Sequence, residues 1–280
     1  MTTPDIVVVG HVVQDLTPQG SRLGGAATFA SVQARRFGCT VGVVTRARQD
    51  VLQDPQLSGI EFAGRSSETT TTFENTYDGA GRRQRVPNQA DGITGIDVPL
   101  DWQKATTVLL GPVCGEVTHD ISDLFTDALI GIGAQGWLRA LDGDAHVQPT
   151  AWSGAPFWGG CRVLFVSDED LVDDGQLDRW VKDVPIVVVT RERRGARVHD
   201  EGRWREIHAL PAEEVDPTGA GDVFAAAFLV RFEETNDVAN AARFASAAAA
   251  FSVEAEGIEA IATREQIDQR LSQHPELVLR

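Results

Sequence analysis

The 280-residue chain is 42% hydrophobic and carries a formal charge of −16, from 25 Lys and Arg against 41 Asp and Glu. That apolar share is enough to pack one large α/β domain or two small ones, while the acidity excludes binding driven by clustered cations on a phosphate polymer, so no nucleic-acid partner is expected. Cys39, Cys114 and Cys161 are odd in number, widely spaced and without a Cys-x-x-Cys string, which argues against a disulfide framework and a structural zinc site.

In chain order, Ile6–Val9 before Gly10 reads as a buried strand, and similar apolar runs recur at Val41–Val44, Val108–Leu110, Val163–Val166 and Ile186–Val189. Helices are expected between them at Ala27–Phe37, Asp120–Ile130 and Asp170–Val181, the alternation of a three-layer α/β domain around a mostly parallel sheet. Thr69–Tyr77, the turn Asp78-Gly79-Ala80-Gly81 and Arg82–Val86 break this pattern and read as an antiparallel hairpin. In the last third, Asp237 can cap a helix through Ala241, Phe244, Ala248 and Phe251 that stops near Gly257. The N-terminal stretch lacks a basic n-region and a long apolar segment, and no later run reaches spanning length, so a cytoplasmic protein without a membrane partner is expected.

The chemistry concentrates in Asp216-Pro217-Thr218-Gly219-Ala220-Gly221-Asp222. Glycines let successive N–H groups turn toward one point at a helix N-terminus, where a phosphate is welcome. Asp222 beside such an anion is placed to take the proton of an attacking hydroxyl; a Gly-rich turn with a favourable first-turn acid is the other reading. No Gly-x-x-x-x-Gly-Lys string occurs.

That segment, continued by Val223-Phe224, resembles the C-terminal signature of the ribokinase, or PfkB, family of carbohydrate kinases. Gly24-Gly25-Ala26-Ala27-Thr28-Phe29-Ala30, opening a helix that ends at Gly38, is similar to the family's N-terminal signature. The resemblance implies a single ribokinase-like three-layer αβα domain over residues 1–280. It also implies a small β lid at about 68–88 and a kinase that transfers the ATP γ-phosphate to a sugar or polyol hydroxyl. Asp222 would be the base, with the N–H groups of Gly219, Ala220, Gly221 and Asp222 as the anion hole.

On the acceptor side the resemblance implies roles for Asp15, Gly24, Gly25, Gln135 and Arg139. Asp15 also reads as a turn residue or helix cap, and Arg139 as a surface ion-pair partner. Phe29 stands where the family has an Asn that grips the sugar, so an apolar surface is expected there. Gly-Gly-Ala-Ala-x-Phe with Gln-Gly-x-x-Arg looks closer to an inositol-kinase-like branch.

On the donor side, Ser167-Asp168-Glu169-Asp170 replaces the family's Asn-x-x-Glu, and Thr190 to Gly195 keeps two ends of Thr-x-Gly-x-x-Gly with Glu192 at the middle Gly. Ser167, Thr190, Gly195, Thr218, Gly219 and Gly221 are expected near the nucleotide, Val253 and Gly257 resemble the helix and loop that line the family's adenine pocket, and Asp170 is expected near Mg²⁺ through water. ATP and Mg²⁺ are the implied cofactors, with a monovalent cation left open, and a homodimer through the lid is left open as well. A nucleoside kinase of the same superfamily and a non-catalytic nucleotide- or sugar-binding regulator are the alternatives, the second motivated by the altered donor-side positions.

Overall fold

A computed structural model describes residues 2–78, 81–173 and 175–275. The chain opens with β1 (Ile6–Val9), the pair β2 (Val13–Thr17) and β3 (Gly20–Gly24), helix α1 (Ala26–Arg36), β4 (Val41–Val44), the single turn α2 (Gln49–Leu52) and β5 (Ile60–Ala63). There follow β6 (Thr71–Asp78), β7 (Gly81–Asn88), β8 (Thr107–Leu110), β9 (Leu129–Gly133), the ribbon β10 (Arg139–Leu141) and β11 (Val147–Pro149), and β12 (Cys161–Ser167). Helix α3 (Gln176–Asp183), β13 (Ile186–Thr190), β14 (Ala196–Asp200), β15 (Arg203–Ile207) and helices α4 (Ala220–Thr235), α5 (Val238–Ser252) and α6 (Arg264–Gln273) complete the chain.

Among the described residues, nine strands form one sheet in the order β15-β14-β13-β12-β9-β8-β1-β4-β5. Its pairs are parallel from β13 through β5; β14 and β15 add an antiparallel edge. Alternation along β1 explains why the expected strands are continuously apolar. Ile6 and Val8 enter one core with α1, α4 and α5, while Val7 and Val9 enter the other with Trp102 and Trp180. Both faces are covered, giving the expected three layers around a mostly parallel sheet.

Strand order reverses at β1, which has β4 on one side and β8 on the other. A crevice opens at the carboxyl ends of strands where the order reverses, and here the two backbones nearly touch: a Cβ on Gly10 would lie 2.2 Å from Gly111 O. The apolar helix α4 runs beneath, and Gly131 of β9 makes room for it, since a Cβ there would meet Leu229 Cδ1 at 2.6 Å.

Three expectations change. The segment Asp120–Ile130 is no α-helix: His119–Leu124 forms a 3₁₀ turn, and Leu129–Gly133 is drawn into the ladder between β8 and β12. The helix expected from Asp170 starts at Gln176, because Ser167 caps a separate 3₁₀ turn at Asp168–Asp170. The last long helix ends at Ser252 rather than near Gly257.

The expected hairpin strands are β6 and β7, with Gly79 and Ala80 of its turn outside the described residues. They belong to a larger four-stranded sheet, β3-β2-β6-β7. Asp15 is a strand residue within it, not a turn or cap. Cys39, Cys114 and Cys161 are free thiols, and among the described residues no helix is long and apolar enough to cross a membrane.

Asp237 accepts the Asn240 N–H at 3.0 Å as the cap of α5. Asp237→Ala is expected to cost about 1 kcal/mol of stability, read as a lower denaturant midpoint at unchanged slope.

Candidate active site

Arg139, past β9, and Asp170, past β12, act electrostatically on Asp222 at the N-terminus of α4. Gly219 is the N-cap of α4 in the left-handed conformation, φ 78°. A side chain is barred there by packing as well as by backbone: a Cβ would lie 2.2 Å from the Phe29 ring. Phe29 is 1% exposed, which corrects the expectation of an apolar surface facing a substrate. The ring is a floor under the loop.

Asp216 shapes the loop from its other end. Its Oδ1 accepts the Thr218 N–H at 3.0 Å and its Oδ2 the Gly257 N–H at 3.2 Å. Val253 O takes the Val215 and Asp216 N–H groups at 2.7 and 3.1 Å. Val253 and Gly257 are thus brought against the loop through their backbones. The Ala220 N–H donates to Pro217 O at 3.3 Å and the Asp222 N–H to Gly219 O at 3.0 Å. These two donors are occupied, a correction to the expected anion hole. Among the described residues, the Gly219 and Gly221 N–H groups face no acceptor, and the space beside Gly221 is open.

Asp222 lies in the first turn of α4, partly exposed in the crevice. Burial pushes its carboxyl up to about 7; the positive Arg139 draws it down and the negative Asp170 pushes it up. The sequence separates these three residues widely, and the fold gathers them. Arg139 donates to Val113 O at 3.5 Å, and Gln135 Nε2 donates to Asp170 Oδ2 at 3.3 Å.

On the acceptor side, Asp15 is buried and explains Gly24: a Cβ there would lie 2.3 Å from Asp15 Oδ2. Gly25, at φ 83°, lets the chain turn from β3 into α1 with its Cα close to His11 O. Beside Asp15 lies a small buried apolar cluster of Val13, Phe73, Val86 and Val113, with the partly buried Cys114, Leu141 and Val147 against it.

The turns after β12 and β13 are held by their own hydrogen bonds. Ser167 Oγ accepts the Glu169 N–H at 3.4 Å, and Thr190 Oγ1 donates to Val166 O at 3.4 Å. Gly195, at φ 84°, sits where a Cβ would strike Ile207 O. Glu192 takes the left-handed φ of 49° without being glycine, the conformation that favours Gly at this place in the turn. Burial and the neighbouring Glu192, Asp168 and Asp170 push the Glu169 carboxyl up. Asp168 pairs with Arg194.

Two buried groups escaped the sequence reading. Glu116 accepts from the N–H groups of His11 at 3.0 Å, Val113 at 2.9 Å and Cys114 at 2.8 Å, clamping the turns after β1 and β8. His11 bridges Asp91 O at 3.0 Å and Thr71 Oγ1 at 2.8 Å, tying the turn after β1 to the four-stranded sheet. The only hint was an acid six residues past a buried strand, which reads the same as a surface loop.

The sequence pattern of the pfkB family of carbohydrate kinases matches residues 166–264. That stretch, about a third of the chain, is similar to the PfkB family. A cytidine kinase of Thermococcus kodakarensis is 26% identical over 260 residues, covering 81% of this chain and 88% of that protein. An inositol 3-kinase of Zea mays is 28% identical over 235 residues, covering 79% of this chain but 57% of its own length. The fold is similar to a pyrophosphate-dependent kinase in the ribokinase family, at TM-score 0.78 and 21% identity over 95% of this chain and 99% of that one. It is also similar to the Methanocaldococcus jannaschii nucleoside kinase, at 0.75 and 18% over 98% and 100%. The PfkB match takes in the Asp216–Asp222 loop and the donor-side turns.

The raised carboxyl of Asp222 has a consequence for stability. An unfolded aspartate ionises at 3.8, but the folded one keeps its proton up to about 7. The unfolded state therefore binds fewer protons across that window, and Asp222 costs stability as pH rises through it. Asp222→Asn is expected to melt like wild type near about pH 4 and at a higher temperature near about pH 8, checked by thermal scans at both.

Proposed function

We propose that the chain moves the γ-phosphate of ATP to a hydroxyl of a sugar or polyol, with Asp222 as the general base. What carries this reading is Asp222 itself: a carboxyl with an affinity near neutrality, beside two N–H groups without an acceptor, at a helix N-terminus that favours anions. The acceptor hydroxyl gives its proton to Asp222 as its oxygen attacks the γ-phosphorus; the bond to the β-phosphate oxygen breaks, and ADP leaves with that electron pair. The Gly219 and Gly221 N–H groups face the charge on the transferred group, and Arg139 holds a fixed positive charge on the same side. Asp15 and the lid sheet orient the acceptor.

Mg²⁺ fits this site as a companion of the nucleotide. Among the described residues no three His, Cys, Asp or Glu side chains form a ready cage. Asp168, Glu169 and Asp170 after β12 and Glu192 after β13 nevertheless concentrate negative charge, and magnesium takes few carboxylates while keeping its waters. Asp170 would hold it through water, and the ion would shield the donor phosphates.

A second reading is a nucleoside acceptor, its ribose hydroxyl facing Asp222 and its base against the partly exposed Cys114, Leu141 and Val147 that flank the buried cluster of Val13, Phe73, Val86 and Val113. The cytidine kinase relative supports including it. The inositol 3-kinase relatives support a polyol.

ADP release from Mg-ATP across pentoses, hexoses, sugar acids, inositols and nucleosides tests the reading, with pyrophosphate as a comparison donor. One acceptor class should give saturable turnover, and Asp222→Asn should lower kcat by about 10²-fold or more. In wild type, kcat/KM should rise with pH through about 7 as Asp222 loses its proton. Turnover that survives in Asp222→Asn contradicts the assignment.

A further inference from the structure

Arg22 lies on β3 of the lid sheet, directly opposite Asp15 in the β2–β3 register. Its side chain nevertheless reaches the donor loop: Nη1 stands 3.2 Å from Asp216 Oδ2 and 3.5 Å from Glu256 Oε2. The Asp216 side chain is only 10% exposed. It is held by the Thr218 and Gly257 N–H groups on its two oxygens. An enclosed carboxylate at the foot of an anion-binding turn repels the anion unless a cation sits with it. Arginine suits that place because its guanidinium stays charged and offers several donors in a fixed plane.

We propose that Arg22 is a positioning residue: it supplies from the lid sheet the fixed cation that neutralises Asp216 and holds the anion loop in shape for the donor phosphate. This rests on the kinase reading of the same loop. It carries two consequences. The loop has a cation of its own and needs no monovalent metal ion at Asp216. The hairpin that presents Asp15 to the acceptor is also joined to the donor loop through one guanidinium, so the two halves of the site are registered to each other.

The test reads donor binding without any acceptor. Inorganic pyrophosphate is titrated calorimetrically into wild type, Arg22→Ala, Arg22→Lys, Asp216→Asn and the Arg22→Ala/Asp216→Asn double variant. Each titration is run in potassium chloride and in tetramethylammonium chloride at equal ionic strength, with melting temperatures recorded alongside. Wild type should bind equally in both salts. Arg22→Ala should lose about tenfold or more in affinity, the size expected for one charge-assisted contact, and regain part of it in potassium chloride or with added guanidinium. Arg22→Lys should retain more than the alanine variant. The loss should shrink when Asp216 is already neutral.

Unchanged affinity in Arg22→Ala overturns the proposal, as does a wild-type requirement for potassium or a loss that Asp216→Asn leaves undiminished. Wild type that binds pyrophosphate but phosphorylates no acceptor defeats the kinase reading while leaving the role of Arg22 decided by its own titration. Wild type that leaves millimolar pyrophosphate unbound overturns the role of Arg22 at this loop, while the ATP reading stands or falls on ADP release.

Discussion

A strongly acidic chain that receives a phosphate has to solve one electrostatic problem before any other. Asp216 and Asp222 bracket the loop at the head of α4, and Asp170 adds its charge to that of Asp222. Unrelieved, these charges would turn an anion away. The structure relieves them with oriented dipoles and a few placed cations rather than a basic surface. The Gly219 and Gly221 N–H groups lie at the positive end of a 16-residue helix. Arg139 stands toward Asp222, and Arg22 sits on Asp216. Asp222 responds to what remains by keeping its proton up to about 7, which makes it a base near neutrality instead of a permanent negative charge.

Close backbone approach is the second constraint, and it follows from the first. Dipoles are effective only at short range, so the segments that carry them must meet without side chains between. Gly10 lies on Gly111 at the β1/β8 reversal, Gly24 on the Asp15 carboxylate, and Gly219 on the Phe29 ring. Glu116 then ties the turns after β1 and β8 together with its two oxygens. The apolar cores on the two faces of the sheet hold these turns at fixed spacing.

The parallel strands were legible because a strand buried on both faces must be continuously apolar, as Ile6–Val9 and Val41–Val44 are. Helices α1 and α5 were legible from their entry residues. Asp120–Ile130 was misread because its apolar spacing fits a helix, whereas Ile130 and Ile132 are needed in the ladder beside β12. Strands β2 and β3 were missed because Asp15 and Arg22 are polar and their burial depends on partners elsewhere in the chain. The loop around Asp222 could be read locally. Its neighbours Arg139 and Asp170 could be named but not placed together, since only the sheet order brings the ends of β9 and β12 to α4. Phe29 was named for the wrong surface: a substitution relative to a motif shows what is absent, not which way the new side chain points.

The account turns on Asp222 being a partly desolvated carboxyl poised near neutrality rather than an ordinary first-turn acid. Carbon-13 NMR of the aspartate side-chain carboxyls, with Asp222→Asn used to assign the resonance, measures that property directly. The account predicts that the Asp222 carboxyl titrates near 7 in the free protein. A midpoint close to the ordinary aspartate value of 3.8 would contradict it, because the group would then be a solvated helix-end acid with no proton affinity suited to accepting one from a hydroxyl.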